Sequence, residues 1–131
     1  MKNILKNHIL VSVLTLVMIF LFTCSFSLAA QKYKIGISQF VEHPSLDLAR
    51  EGFIDQLEEE GFIEGENIEI DFQNAQADFS TAQTIAQRFN QNNPDLVLAI
   101  ATPSAQTTAN VLTNTPVLIT AVTDPVEAGV V

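Results

Sequence analysis

One cysteine, Cys24, occurs in the 131 residues, and it lies in a segment that reads as removable. A disulfide framework and a thiolate metal site are thereby excluded from the remainder. Basic residues are nearly as scarce: six lysines and arginines stand against fifteen acidic residues, a formal net charge of −9. Such a balance excludes nucleic acid and anionic membrane surfaces as partners and suits a soluble, acidic protein. Glycine is sparse where nucleotide motifs would need it. Ile35-Gly36-Ile37-Ser38 carries one glycine, so no dinucleotide fingerprint follows the first strand, and no phosphate-binding loop is present. Histidine is limited to His8 and His43, and Asp124 has no second carboxylate or histidine at ligand spacing. No metal or cofactor is implied.

The amino terminus accounts for the cysteine. Lys2 and Lys6 precede an apolar stretch from Ile9 to Phe22, followed by small residues around Ser27-Leu28-Ala29-Ala30. These are the three regions of a secretory signal, residues 1–30, with cleavage after Ala29 or Ala30. At roughly 14 residues the apolar core is shorter than the ~20 of a spanning helix. Two other readings stand beside cleavage: an uncleaved anchor, and lipid attachment at Cys24, for which Thr23 is a poor preceding residue. Each places the chain outside the cytoplasm, in the periplasm or an equivalent compartment. Without the leader, four basic residues face fifteen acidic ones, a net charge of −11.

Residues 31–131 alternate strand and helix patterns. Tyr33–Val41 is rich in β-branched and aromatic residues, and Gly36 in its middle permits a close approach by another group. After Glu42-His43-Pro44-Ser45, a stripe of Leu46, Ala49, Phe53 and Leu57 predicts a helix stopped by Gly61-Phe62 in the Schellman manner. Ile68-Glu-Ile-Asp-Phe72 alternates apolar and charged, as an edge strand does. Ser80-x-x-Gln83 predicts a capping box for a helix carrying Ala82, Ile85, Ala86 and Phe89. Leu96–Ala101 is an unbroken apolar run suited to a central strand, and Val117–Val122 is a fourth buried strand. Between them Thr102 or Ser104 caps a helix, with Pro103 in its first turn and Ala105, Thr108 and Leu112 on its inner face. The order β-α-β-α-β-α-β with short loops predicts an α/β, doubly wound parallel sheet, strand order 2-1-3-4.

Four polar, proline-bearing turns then leave one sheet edge, at 39–47, 73–78, 101–105 and 122–126. Open α/β sheets bind ligands at that edge. The Thr102–Ala105 turn offers free backbone N–H groups and two hydroxyls, an arrangement for a small anion, most naturally a carboxylate. A competing explanation is that such turns need caps anyway, which Ser45, Ser80 and Ser104 would supply. Catalytic signals are weak. Glu42 and His43 make a general acid–base pair on paper, and Ser104 lacks the flanking glycines of a nucleophile elbow.

Several blocks together are similar to a known family: Ile35-Gly-Ile-Ser-Gln with Glu42-His43-Pro44, Ala49-Arg-Glu-Gly-Phe53, Phe72-Gln-Asn-Ala-Gln76, Ala99-Ile-Ala-Thr-Pro-Ser-Ala-Gln106 and Thr120-Ala-Val-Thr-Asp-Pro125. From about Lys34 to Val131 the chain resembles the bacterial solute-binding proteins of ABC importers, within them the tryptophan- and tyrosine-type group. The resemblance implies the first lobe of a type I periplasmic-binding fold and no catalysis. It implies an amino acid or similar small carboxylate between two lobes, and ABC permease subunits as membrane partners. Carried onto this sequence, Thr102, Ser104 and Ala105 take the carboxylate. Thr123 and Asp124 line the neighbouring wall, Glu42 and His43 the mouth, and Asn74 and Gln76 are further contacts. The chain stops where the family crosses to its second lobe, so it reads as an amino-terminal, truncated portion. Two other functions fit the same lobe less fully: the ligand-sensing ectodomain of a receptor, and an exported α/β hydrolase using His43 and Glu42.

Overall fold

The computed structural model describes residues 32–131; the leader and its cleavage site lie outside the described residues. Seven elements follow in strict alternation: β1 (Tyr33–Gln39), α1 (Pro44–Glu59), β2 (Ile68–Asn74), α2 (Phe79–Asn92), β3 (Leu96–Ile100), α3 (Thr102–Val111) and β4 (Val117–Thr120). The strands form one sheet in the order β2-β1-β3-β4. All three pairings are parallel, with Ile37 opposite Phe72 on one side and Leu98 on the other. The predicted architecture and strand order are both observed.

Burial explains why the helices divide between the two faces. In β1 every residue from Ile35 to Gln39 is buried, so both faces must be covered. One face carries Ile35, Ile37, Ile68, Leu98 and Ile100, packed against Leu46, Phe53, Ile54 and Leu57 of α1. The other carries Val97 under Ala82, Ile85, Ala86 and Phe89 of α2, with Leu112 at the end of α3. Gly36 sits on this second face. A Cβ there would come within 3.2 Å of three atoms of the Phe89 ring. Phe89 is 1% exposed, so the ring has no room to retreat, and the close approach expected at Gly36 is that of an aromatic ring.

Local chemistry sets the boundaries. α1 ends on Glu60, with Gly61 at φ 87°. The Phe62 N–H donates to Leu57 O at 2.8 Å and the Gly61 N–H to Glu58 O at 3.0 Å, the two bonds of a Schellman stop. The caps at the other ends differ from expectation. α2 is capped by Asp78, whose Oδ1 accepts from the Thr81 N–H at 2.6 Å, not by Ser80. Asp78 already has extended backbone geometry, which leaves Ser80 inside the first turn. α1 is capped by His43, whose Nδ1 accepts from the Ser45 N–H at 3.3 Å. α3 has Ala101 as N-cap with no side-chain cap at all, so neither Thr102 nor Ser104 caps it.

β4 also differs. It spans four residues rather than six and is only half-buried, with Leu118 47% exposed. As an edge strand it is paired on one side only, and Leu118 shares the face of Leu98, which α1 covers over β1 and β2 but not here.

Two expectations follow. Gly36→Val should lower stability by about 1–3 kcal/mol, the range for overpacking a filled core, read as a fall in the urea midpoint at unchanged slope. The Thr81 N–H, the Thr81 hydroxyl and the Ser80 N–H hold the Asp78 carboxyl below its ordinary value, against a small opposing effect of burial. A depressed folded-state pKa means the cap contributes fully above the ordinary carboxylate range and is lost as pH falls through the folded value. Asp78→Ala should therefore be less stable than the parent at neutral pH, with the gap closing below about pH 4.

Candidate functional site

Because all four strands run the same way, β1–α1, β2–α2, β3–α3 and the segment after β4 all turn at one edge. Two hollows open there; Thr102, Thr123 and Asp124 line one and Glu42, Asn74 and Gln76 the other, while Ser104, Ala105 and His43 line neither.

The first lies beyond β3 and β4, about 400 Å³, lined by Thr102, Gln106, Thr123, Asp124, Glu127 and Ala128. The transition from β3 to α3 is made by one residue. The Ala101 N–H donates to Thr120 O, continuing the sheet, and its carbonyl accepts from the Ala105 N–H, opening the helix. Serving both elements forces Ala101 to φ 78°, ψ 155°, a region that side-chain-bearing residues avoid. The Ala105 N–H is thus spent inside the helix, and the first-turn N–H groups of Thr102 and Ser104 have no side-chain acceptor. Thr102 Oγ1 accepts from the Thr123 N–H at 3.5 Å, the far limit of a hydrogen bond, which ties this turn to the one after β4. Asp124 Oδ1 accepts from the N–H groups of Val126 (3.1 Å) and Glu127 (2.9 Å), organising that turn.

Ser104 and Ala105 are fully buried. The Ser104 hydroxyl has no hydrogen-bond partner, a property it shares with Ser38 of β1 among the described residues. An unpaired buried hydroxyl costs about 1–3 kcal/mol, and Ser104 carries this burden in the one uncapped helical turn.

The second hollow lies beyond β1 and β2, about 720 Å³, lined among others by Glu42, Asp47, Arg50, Phe72, Asn74 and Gln76. Asn74 Oδ1 accepts from the Gln76 N–H at 2.7 Å, and Gln76 and Ala77 both take left-handed φ angles of 53° and 62°. Glu42 is exposed at the rim. His43 is exposed too, its Nδ1 2.7 Å from Ser45 Oγ and tied into the start of α1. Three residues the sequence reasoning passed over as site candidates form one hydrogen-bonded cluster here, with Asp47 and Arg50 lining the hollow and Gln39 buried behind them. Gln39, fully buried, donates from Nε2 to Asp47 Oδ1 (2.7 Å) and Val41 O (2.9 Å). Arg50 Nη1 donates to Gln39 Oε1 at 3.0 Å and to Asp47 Oδ1 at 3.2 Å. One signal for Arg50 was available: only four basic residues lie within residues 31–131, and among them Lys32 and Lys34 belong to the opposite edge and Arg88 pairs with Asp71 at 2.8 Å. Among the described residues no three metal-binding side chains come together.

Strained turns and exposed polar groups are gathered at the carboxyl edge of a parallel α/β lobe, the edge at which open sheets of this class bind ligands. Comparison with known proteins gives this lobe a family. The family described as ABC transporter substrate binding protein matches residues 34–131, and the chain belongs to it. A tyrosine-binding protein of Clostridioides difficile is 59% identical over 97 residues, 74% of this chain and 28% of that protein. The ligand-free, open structure of a substrate-binding protein with adhesive properties from Clostridium difficile superposes with a TM-score of 0.75 at 57% identity, over 76% of this chain and 34% of that one. A domain from Streptococcus pneumonia in complex with L-Trp gives 0.73 at 44% identity, over 77% and 34%. The chain therefore spans about a third or less of these relatives.

Relief of the pivot strain is measurable. Ala101→Gly should raise stability by about 1 kcal/mol, the low end of the strain at such an angle, whereas Ala-to-Gly exchange elsewhere is destabilising; urea unfolding reads the difference.

Proposed function

We propose that this chain is the first lobe of an extracytoplasmic solute-binding protein of an ABC importer, which holds an amino acid in a cleft between two lobes and presents it to the permease subunits. The observation that carries the site is the uncapped start of α3. α1 and α2 satisfy their first turns with His43 and Asp78; α3 leaves its N–H groups at the positive end of the helix dipole, beside the Thr102 hydroxyl and the unpartnered Ser104 hydroxyl. A carboxylate supplies the missing acceptor. Asp124 and Glu127, which share the hollow with Thr102, suit the ammonium of the same ligand and disfavour a simple dianion.

Relatives support an aromatic amino acid: one is named for tyrosine and another was solved with L-Trp. They are substrate-binding proteins, and a binding role without turnover is the reading for this chain as well. Export follows from the leader at 1–30, and among the described residues no helix is long and apolar enough to cross a membrane.

A thermal-shift screen of the full-length protein should show stabilisation by L-tyrosine or L-tryptophan, and silence across all amino acids overturns the proposal. Thr102→Ala, at the residue of this turn that lines the hollow, should weaken that ligand by about tenfold or more, as expected for a hydrogen bond to a charged group. Unchanged affinity removes the α3 turn from the site.

A further inference from the structure

Phe72 departs from the stripe it belongs to. Ile68 and Ile70 precede it on the same face of β2 and pack beneath α1; Ile68 is 1% exposed, yet Phe72 is 40% exposed. What lies over its ring is the Arg50 guanidinium, whose central carbon stands 4.5 Å from the ring centroid. Arg50 is not free to swing away. Its Nη1 is shared between Gln39 Oε1 and Asp47 Oδ1, and Gln39 is itself fully buried and held by Val41 O and Asp47. Glu51 stands 3.7 Å from Nη2. The guanidinium is thus neutralised and fixed over the Phe72 ring at the wall of the larger hollow.

This arrangement is a poor receptor for an anion. Asp47 already holds the charge, and Glu42 and Glu51 at the same hollow repel a second carboxylate. A planar, weakly hydrated guanidinium is a good stacking surface for an aromatic ring, and one immobilised beforehand loses little freedom on binding. The hollow has room for such a ring. Neighbouring strands lie about 4.8 Å apart, so the start of α3 and the hollow beyond β1 and β2 are separated by one to two strand spacings. That is the distance an aromatic amino acid covers from its carboxylate to its ring.

We propose that the Arg50–Phe72 stack is the platform on which the ligand's aromatic side chain lies, with Gln39 and Asp47 as positioning residues. Specificity for aromatic over acidic ligands is then set on this lobe. The inference rests on the α3 turn as the carboxylate site.

Calorimetric titration of L-tryptophan and L-tyrosine into the full-length protein tests it. Phe72→Leu should weaken binding by about tenfold, the scale of an aromatic stacking contact, while Phe72→Tyr, which keeps the ring, stays within about twofold. Arg50→Lys, which keeps the charge but not the plane, should weaken binding to a similar degree, and L-glutamate should not bind. The urea midpoint of each variant separates lost binding from lost fold. If Phe72→Leu and Phe72→Tyr behave alike, or Arg50→Lys binds as the parent does, the platform is overturned while the carboxylate site stands on Thr102→Ala. If the parent binds no amino acid, both fall.

Discussion

β1 is a strand with no side to spare: Ile35 to Gln39 are buried without exception, and the strand is hydrogen-bonded along both edges. Everything else answers that constraint. Apolar side chains on both faces need cover on both faces, which places α1 on one side and α2 with α3 on the other. Parallel neighbours need crossovers, and right-handed crossovers of similar length send every strand-to-helix turn to the same edge. The edge where these turns gather is a by-product of covering one strand twice. Gly36 marks how tightly this is done, since the Phe89 ring occupies the space a methyl group would take.

That edge is also where the fold is least comfortable. Four of the five non-glycine residues with positive φ among the described residues, namely Gln76, Ala77, Ala101 and Ala121, lie just past the ends of β2, β3 and β4. Both unpartnered buried hydroxyls sit toward it, Ser38 near the end of β1 and Ser104 in the first turn of α3. The core elsewhere is satisfied: Thr107 and Thr108 return their hydroxyls to α3 carbonyls at 2.7–3.1 Å. Strain and unmet hydrogen bonds collected at one edge are the observations on which the proposed site rests. The two hollows handle charge differently. At the end of β3 the backbone is left open, whereas at the ends of β1 and β2 the lone arginine is matched by carboxylates and presents its plane instead.

Caps show where sequence pattern reaches its limit. Asp78 and Ser80 both qualify on residue type, and Ser80 has the better-placed glutamine. Which of them caps α2 depends on where the backbone turns extended, a matter of how the Asn74–Ala77 loop packs under Phe40. Ala77 N donates to Phe40 O at 2.8 Å, and that bond is invisible in the one-dimensional pattern. The same holds at Ala101, where no cap residue is present because the residue is pulled between Thr120 and Ala105. β4 read as buried since its composition is that of a buried strand; its exposure reflects what packs on it, not what it is made of.

Hydrophobic periodicity and turn chemistry by themselves determined the seven elements, their alternation, the parallel order 2-1-3-4 and the edge at which the polar strand-to-helix turns gather. These follow from which residues avoid water and which backbone angles they permit, and both are properties of short segments. Thr102, Thr123 and Asp124 could be placed on one edge for that reason. Only the tertiary structure decided that Ser104 lies buried behind the turn, that His43 is employed as a cap, and that Gln39, Asp47, Arg50 and Phe72 meet. Residues 3 to 33 apart in sequence share that cluster, and their roles arise from distances and burial that no local pattern encodes. An arginine on an acidic helix looks like solubilising charge until a buried glutamine from one strand and a ring from another hold it in place.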